Sequence, residues 1–87
     1  MANTKSAIKR ARQATAQRMR NRAVRSRLRT FVRRARASLA EGDKAAATDA
    51  VMAAVSEIDR AAQKGVIHRN KADRDKSRLM RHLNGLE

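Results

Sequence analysis

Residues 1–40 read MANTKSAIKRARQATAQRMRNRAVRSRLRTFVRRARASLA. This stretch holds 13 Lys and Arg, and no Asp or Glu. It also contains neither Pro nor Gly, the two residues that most oppose helical backbone. The first acid, Glu41, is followed at once by the first glycine, Gly42. The reading is a single long basic helix shaped to lie against a polyanion.

Working outward, Gly42 and Gly65 punctuate the chain, since glycine just past a helix is the usual left-handed stop. Asp43 can cap the next helix through its side-chain oxygen. The expected helices are 5–41, 43–64 and 70–84. Asn70 is the expected N-cap of the third, with Asp73 in a capping-box-like role; a start at His68 is also tolerable, and Gly85 is its stop. Short connections predict helices antiparallel to their neighbours. The fold class is therefore all-α, an antiparallel three-helix bundle whose long basic first helix extends beyond it.

The first helix has two halves. Val24, Leu28, Phe31, Val32, Ala35 and Leu39 fall on one stripe about 100° wide, enough to face a core. Arg18, Arg22, Arg25, Arg29, Arg33, Arg34 and Arg36 lie off it. Extended backwards, the stripe meets Asn21, Gln17, Ala14 and Arg10, and Ile8 and Met19 sit elsewhere on the wheel. Residues 5 to about 22 should therefore project beyond the bundle, charged on every side, and fray without a partner. The second helix offers Ala47, Val51, Ala54, Val55, Ile58 and Ala62 as its seam. The third offers Ala72, Leu79, Leu83 and Leu86, with Val66 and Ile67 leading in.

Charge follows the same division. It is +13 over residues 1–40, −2 over 41–64 and +3 over 65–87, giving a net charge of +14. Arg69, Lys71, Arg74, Lys76, Arg78 and Arg81 make the outer face of the third helix basic. Two basic helices on an acidic scaffold predict one charged side to the bundle. Solvated helices usually mix signs, because opposite charges one turn apart support the helix. Thirteen bases without an acid point instead to a partner. Eleven of them are arginines, whose planar forks suit phosphate. A nucleic-acid backbone is the natural match.

Other classes find little support. Eighty-seven residues make one small domain. Phe31, the lone aromatic, cannot supply the stacking platforms of a single-strand binder. With no Cys there is no disulfide, thiolate nucleophile or sulfur metal site, which suits a reducing cytosol. No apolar run reaches the ~20 residues of a membrane span, and no signal-peptide core follows the first charges. Asp73 and Asp75, two apart on a helix, do not face each other and suit nearby bases better than catalysis. His68 and His82 lie far apart with no ligand set around them. No catalytic residue, metal or cofactor is expected. An Arg-rich start can imitate a transit peptide, but here it runs unbroken into a core-forming segment. The stripe is too short for a sustained coiled coil. A nucleoid-type DNA binder remains an alternative on charge alone. A membrane-surface helix would need an apolar face that residues 5 to 22 lack.

Several strings are specific. Ala2-Asn3-Thr4-Lys5-Ser6-Ala7-Ile8-Lys9-Arg10 opens the chain, followed by Arg20-Asn21-Arg22, Arg25-Ser26 and Leu28-Arg29-Thr30. Gly42-Asp43-Lys44 comes next. Lys64-Gly65-Val66-Ile67-His68-Arg69-Asn70-Lys71-Ala72 then leads to Arg74, Lys76 and Ser77. Over nearly its whole length the chain resembles the bacterial small-subunit ribosomal protein S-twenty family. The resemblance implies a three-helix bundle with an extended first helix, direct binding to 16S rRNA during small-subunit assembly, and no enzymatic activity. It implies a cytoplasmic place on the ribosome among other components of the small subunit, with no membrane and no small-molecule substrate. Lys5, Ser6, Lys9, Arg10, Asn21, Ser26, Arg29 and Thr30 match the family's first-helix pattern. Lys64, Gly65, His68, Asn70, Lys71, Arg74, Lys76 and Ser77 match its second block. Ile8 stands where members often carry a base.

The expected RNA-contacting set joins these positions, Gly65 apart, to Arg12, Arg18, Arg22, Arg25, Arg33, Arg69 and Arg78. The expected organisation is one rRNA-binding helical domain over 1–87, with 1–22 a basic extension and 23–87 the bundle. Recognition should be mostly of shape and backbone.

Overall fold

A computed structural model describes residues 4–86. Positions 1–3 of the expected extension, and Ala2 and Asn3 of the opening string, lie outside the described residues. Three helices follow in order: α1 Lys5–Glu41, α2 Lys44–Gln63 and α3 Arg69–Asn84. At ~1.5 Å per residue the 37 residues of α1 span roughly 55 Å. This one helix therefore sets most of the 66 Å long axis of the molecule.

Local chemistry fixes each helix end. Thr4 is extended and its hydroxyl accepts from the Ala7 N–H at 3.4 Å, which starts α1. Gly42 ends it at φ 83, with its N–H donated to the Leu39 carbonyl. Asp43 then caps α2 as expected, its Oδ1 accepting from Ala45 and Ala46 N–H. Gly65, at φ 76, ends α2. The Gly65 N–H reaches Ala62 and the Val66 N–H reaches Ala61, both at 3.0 Å. That paired bonding is the Schellman arrangement, and it turns Val66 into the core.

The cap of α3 takes the alternative start at His68 rather than the one at Asn70. His68, not Asn70, is extended (φ −72, ψ 146), and its Nδ1 accepts from the Asn70 N–H at 3.0 Å. Asn70 is already inside the helix. Once Val66 and Ile67 have docked, the chain must begin turning at His68, whose carbonyl accepts from the Ala72 N–H. Asp73 makes no capping box and approaches Lys76 at 3.7 Å. Gly85 closes α3 in a right-handed conformation at φ −78, bonded back to Arg81 and His82 carbonyls.

The core joins Leu28, Ala35 and Leu39 of α1 to Ala47, Val51, Ala54, Ile58 and Ala61 of α2 and Ala72, Leu79 and Leu83 of α3. Val24, Phe31, Val32, Val55, Ala62, Ile67 and Leu86 pack around it, half-buried. Ala35, Ala47, Ala54 and Ala61 are fully enclosed. Such small residues at the contact let helix axes approach closely. Ala61 joins the core although the expected seam passed through Ala62, because the last turn of α2 must face both neighbours. Helix α2 packs against both α1 and α3, while α1 and α3 touch each other least.

Candidate nucleic-acid interface

Every residue from Thr4 to Arg20 is exposed. Ile8 and Met19 are among the large apolar side chains left in water. Lys5, Ser6, Lys9, Arg10, Arg12, Arg18 and Arg22 thus stand on a bare rod. Asn21, half-buried, marks where packing begins. The hydroxyls are partly engaged already. Ser6 lies 3.2 Å from the Thr4 hydroxyl, and Thr30 donates back to the Ser26 carbonyl at 3.1 Å. Each keeps lone pairs for a further donor, and Ser26 itself stays exposed.

Further along, α1 and α3, which touch each other least, leave an open groove of about 690 Å³ between them. Arg25, Arg29, Arg33 and Arg36 form its α1 wall, and Lys71, Asp75 and Arg78 its α3 wall. Leu28, Val32 and Ile67 floor it. A second hollow of about 360 Å³ shares Val32, Arg36, Asp75 and Arg78 and adds Leu79 and His82. Among the described residues, none of the four α1 arginines nor Arg78 makes an ion pair. Lys71 bonds Asp75 at 3.1 Å, one turn on. Rows of unpaired guanidinium groups along an open channel can take an anionic backbone through bidentate contacts.

The expected set divides accordingly. Arg25, Arg29, Arg33, Lys71 and Arg78 are brought together on the groove. Lys64, Arg74 and Ser77 are exposed but away from it. The Nδ1 of His68 is occupied in the cap, and Asn70 supplies the N–H it accepts from. Arg69 and Lys76 line a hollow between α2 and α3 instead. There Lys76 bonds Asp59 at 2.6 Å. That hydrogen bond raises the Lys76 pKa above the ordinary lysine value. Arg36 and His82 were missed, although Arg36 continues the 25–29–33 row by one turn and His82 follows Arg78 by one turn.

The α2 side of α1 is also charged, so the expectation of one charged side is incomplete. Glu57 is buried and accepts from Arg27 at 3.1 Å and Arg60 at 3.4 Å. The Arg27 hydrogen bond holds the Glu57 carboxyl below the usual carboxylate range, against the opposing cost of burial. The same bond raises the Arg27 pKa. The guanidinium groups of Arg27 and Arg34 lie 5.0 and 5.6 Å from the Phe31 ring centre, in cation–π range. Among the described residues no cluster of three or more His, Asp or Glu could hold a metal. No described helix is long and apolar enough to cross a membrane.

The profile of a family described as "Ribosomal protein S20" matches residues 2–84. The chain belongs to the ribosomal protein S20 family. Among relatives, the small ribosomal subunit protein bS20 of Bordetella petrii is 51% identical over 86 residues, 99% of each chain. The protein of that name from Alkalilimnicola ehrlichii is 51% identical over 87 residues, 100% of this chain and 99% of its own. That from Ralstonia nicotianae is 56% identical over 79 residues, 91% of this chain and 90% of its own. Membership of the S20 family makes this a structural ribosomal protein of the small subunit rather than an enzyme. The long α1 is thus the helix that the resemblance implied.

Proposed function

We propose that this S20-family protein binds 16S rRNA directly and clamps separate rRNA segments through their phosphates as the small subunit assembles. The observation that carries this reading is the unpaired row Arg25, Arg29, Arg33 and Arg36 facing Lys71 and Arg78 across an open groove. The row continues without a break into the bare basic rod of residues 5–22. The whole chain acts as one binding unit, with the rod as its extension and the bundle as the body that aims it. Lys5, Lys9, Arg10, Arg12, Arg18 and Arg22 meet backbone along the rod. Lys64, Arg69 and Arg74 add contacts at the far end, while His68 and Asn70 act first by starting α3.

Such a surface reads charge and shape rather than base sequence. Neutralising about 6–10 phosphates lowers affinity by roughly 10³–10⁵ between low and moderate salt. The test is binding to full-length 16S rRNA across a salt series, with duplex DNA as competitor. Steep salt dependence that DNA does not relieve supports the reading. Equal displacement by DNA would leave a general polycation of nucleoid type.

A further inference from the structure

The α1/α3 groove is basic on both walls, yet one carboxylate stands in it. Asp75 is the sole acid among the described residues that line either hollow there. Lys71, Asp75, Arg78 and His82 recur three or four residues apart and so share one stripe of α3. Asp75 lies inside that stripe, its side chain 23% exposed. Its Oδ2 accepts from Lys71 Nζ at 3.1 Å. Among the described residues Oδ1 has no partner, and it is not enclosed. Arg25, Arg29, Arg33 and Arg36 line the opposite wall, and none of them pairs with this carboxylate. The walls therefore stand far enough apart to admit part of a ligand between them.

Asp75 is a poor neighbour for phosphate. An ionised carboxylate accepts hydrogen bonds and donates none. Phosphate oxygens are acceptors of the same sign, so the two repel. A strand following the arginine wall keeps its phosphates off Asp75, and whatever reaches the carboxylate must carry a proton to donate. Beside each backbone phosphate RNA offers one such group, the ribose 2′-hydroxyl, displayed in a wide and shallow minor groove. Base N–H groups donate as well, but bases splayed out of a helix are commonly stacked on aromatic rings. The floor here is aliphatic, and Phe31 lies by Arg27 and Arg34 and lines neither hollow.

We propose that Oδ1 of Asp75 accepts a hydrogen bond from a ribose 2′-hydroxyl of the strand in the groove. It thereby selects RNA over DNA, where the arginines select only charge. This rests on the rRNA-binding reading and names a specificity-determining residue for it. Lys71 and Arg78, one turn to either side, offset the carboxylate's repulsion of the rest of the strand.

Interference mapping with the full chain and full-length 16S rRNA tests it. One set of transcripts carries scattered 2′-deoxynucleotides, and a second carries scattered phosphorothioates. With the unaltered protein, 2′-deoxy substitution at a few riboses should weaken binding about tenfold, the scale of a hydrogen bond to a charged group. Asp75→Ala should erase one such signal and leave the phosphorothioate pattern as it was. Asp75→Asn keeps a carbonyl acceptor and should retain that signal in part. If Asp75→Ala leaves the 2′-deoxy pattern unchanged, Asp75 only holds Lys71 and the ribose assignment is overturned. It is overturned equally if the erased signal comes from inosine in place of guanosine rather than from 2′-deoxy substitution, since the carboxylate then reads a base edge. Arg25→Gln/Arg29→Gln probes the underlying reading separately. If that variant alters no phosphorothioate signal, no strand occupies the groove and the rRNA reading of it fails as well.

Discussion

Arg27 and Glu57 meet at 3.1 Å across α1 and α2, and the two residues stand equally far from Gly42 along the chain. That symmetry is what an antiparallel pair folded about a tight turn requires. Lys76 and Asp59, on either side of the α2–α3 loop, bridge the second junction at 2.6 Å. Each junction is thus tied by a cross-helix ion pair as well as by apolar packing.

Acid should loosen the first tie. Glu57 has its carboxyl lowered in the folded state, chiefly by the Arg27 hydrogen bond. The unfolded chain then takes up the proton first, so the pair stabilises at neutral pH and fades as pH falls through the folded carboxyl's range. Glu57→Gln should cost about 1 kcal/mol at pH 7, modest because Arg27 remains half in water. Thermal melts should show that penalty shrinking below about pH 4. A constant penalty would assign Glu57 to packing rather than charge.

His68 offers a distinction between capping and contact. Asparagine places an acceptor where the imidazole has Nδ1, and glutamine places one near Nε2. His68→Asn should therefore keep the α3 cap, while His68→Gln and His68→Ala should each cost about 1 kcal/mol. If rRNA affinity follows stability across the three, His68 serves by positioning α3. If His68→Asn is stable but binds poorly, its ring touches RNA.

Gly65 and Gly42 both hold left-handed backbone, yet a Cβ at either would meet nothing within 4 Å. The cost of alanine there is conformational rather than steric. Gly65→Ala should lose about 1–2 kcal/mol, read from urea unfolding, and Gly65→Asn less. A neutral Gly65→Ala would mean the Schellman turn tolerates another backbone path.

The rod should behave unlike the bundle. In the free protein, amides of residues 5–22 should exchange fast, since one exposed and self-repelling helix segment is marginal alone. Adding 16S rRNA should slow them. Ile58→Ala, by contrast, should cost 2–5 kcal/mol, about the range for a fully enclosed aliphatic side chain. Strong protection of the rod without RNA would contradict its isolation.

The sequence by itself determined the helices, because their causes are local. An unbroken run without Pro or Gly, the Thr4 and Asp43 caps, and glycines at 42 and 65 act over one or two turns. The apolar stripe through Leu28, Ala35 and Leu39 follows from helical spacing, and so does its disappearance before Asn21. The family was legible only as a resemblance of exact strings, above all the Lys64–Ala72 block. Tertiary structure alone decided which charges remain free. Lys76 and Arg78 are alike in sequence, yet one is drawn to Asp59 and the other rims the groove. Arg27 and Arg29 lie two residues apart, yet one faces Glu57 and the other open solvent beside α3. The pull of a carboxylate on another helix depends on how the helices pack, and no spacing within a single helix encodes it. The choice between His68 and Asn70 as the start of α3, both open in the sequence, was settled on the same ground, where Val66 and Ile67 dock.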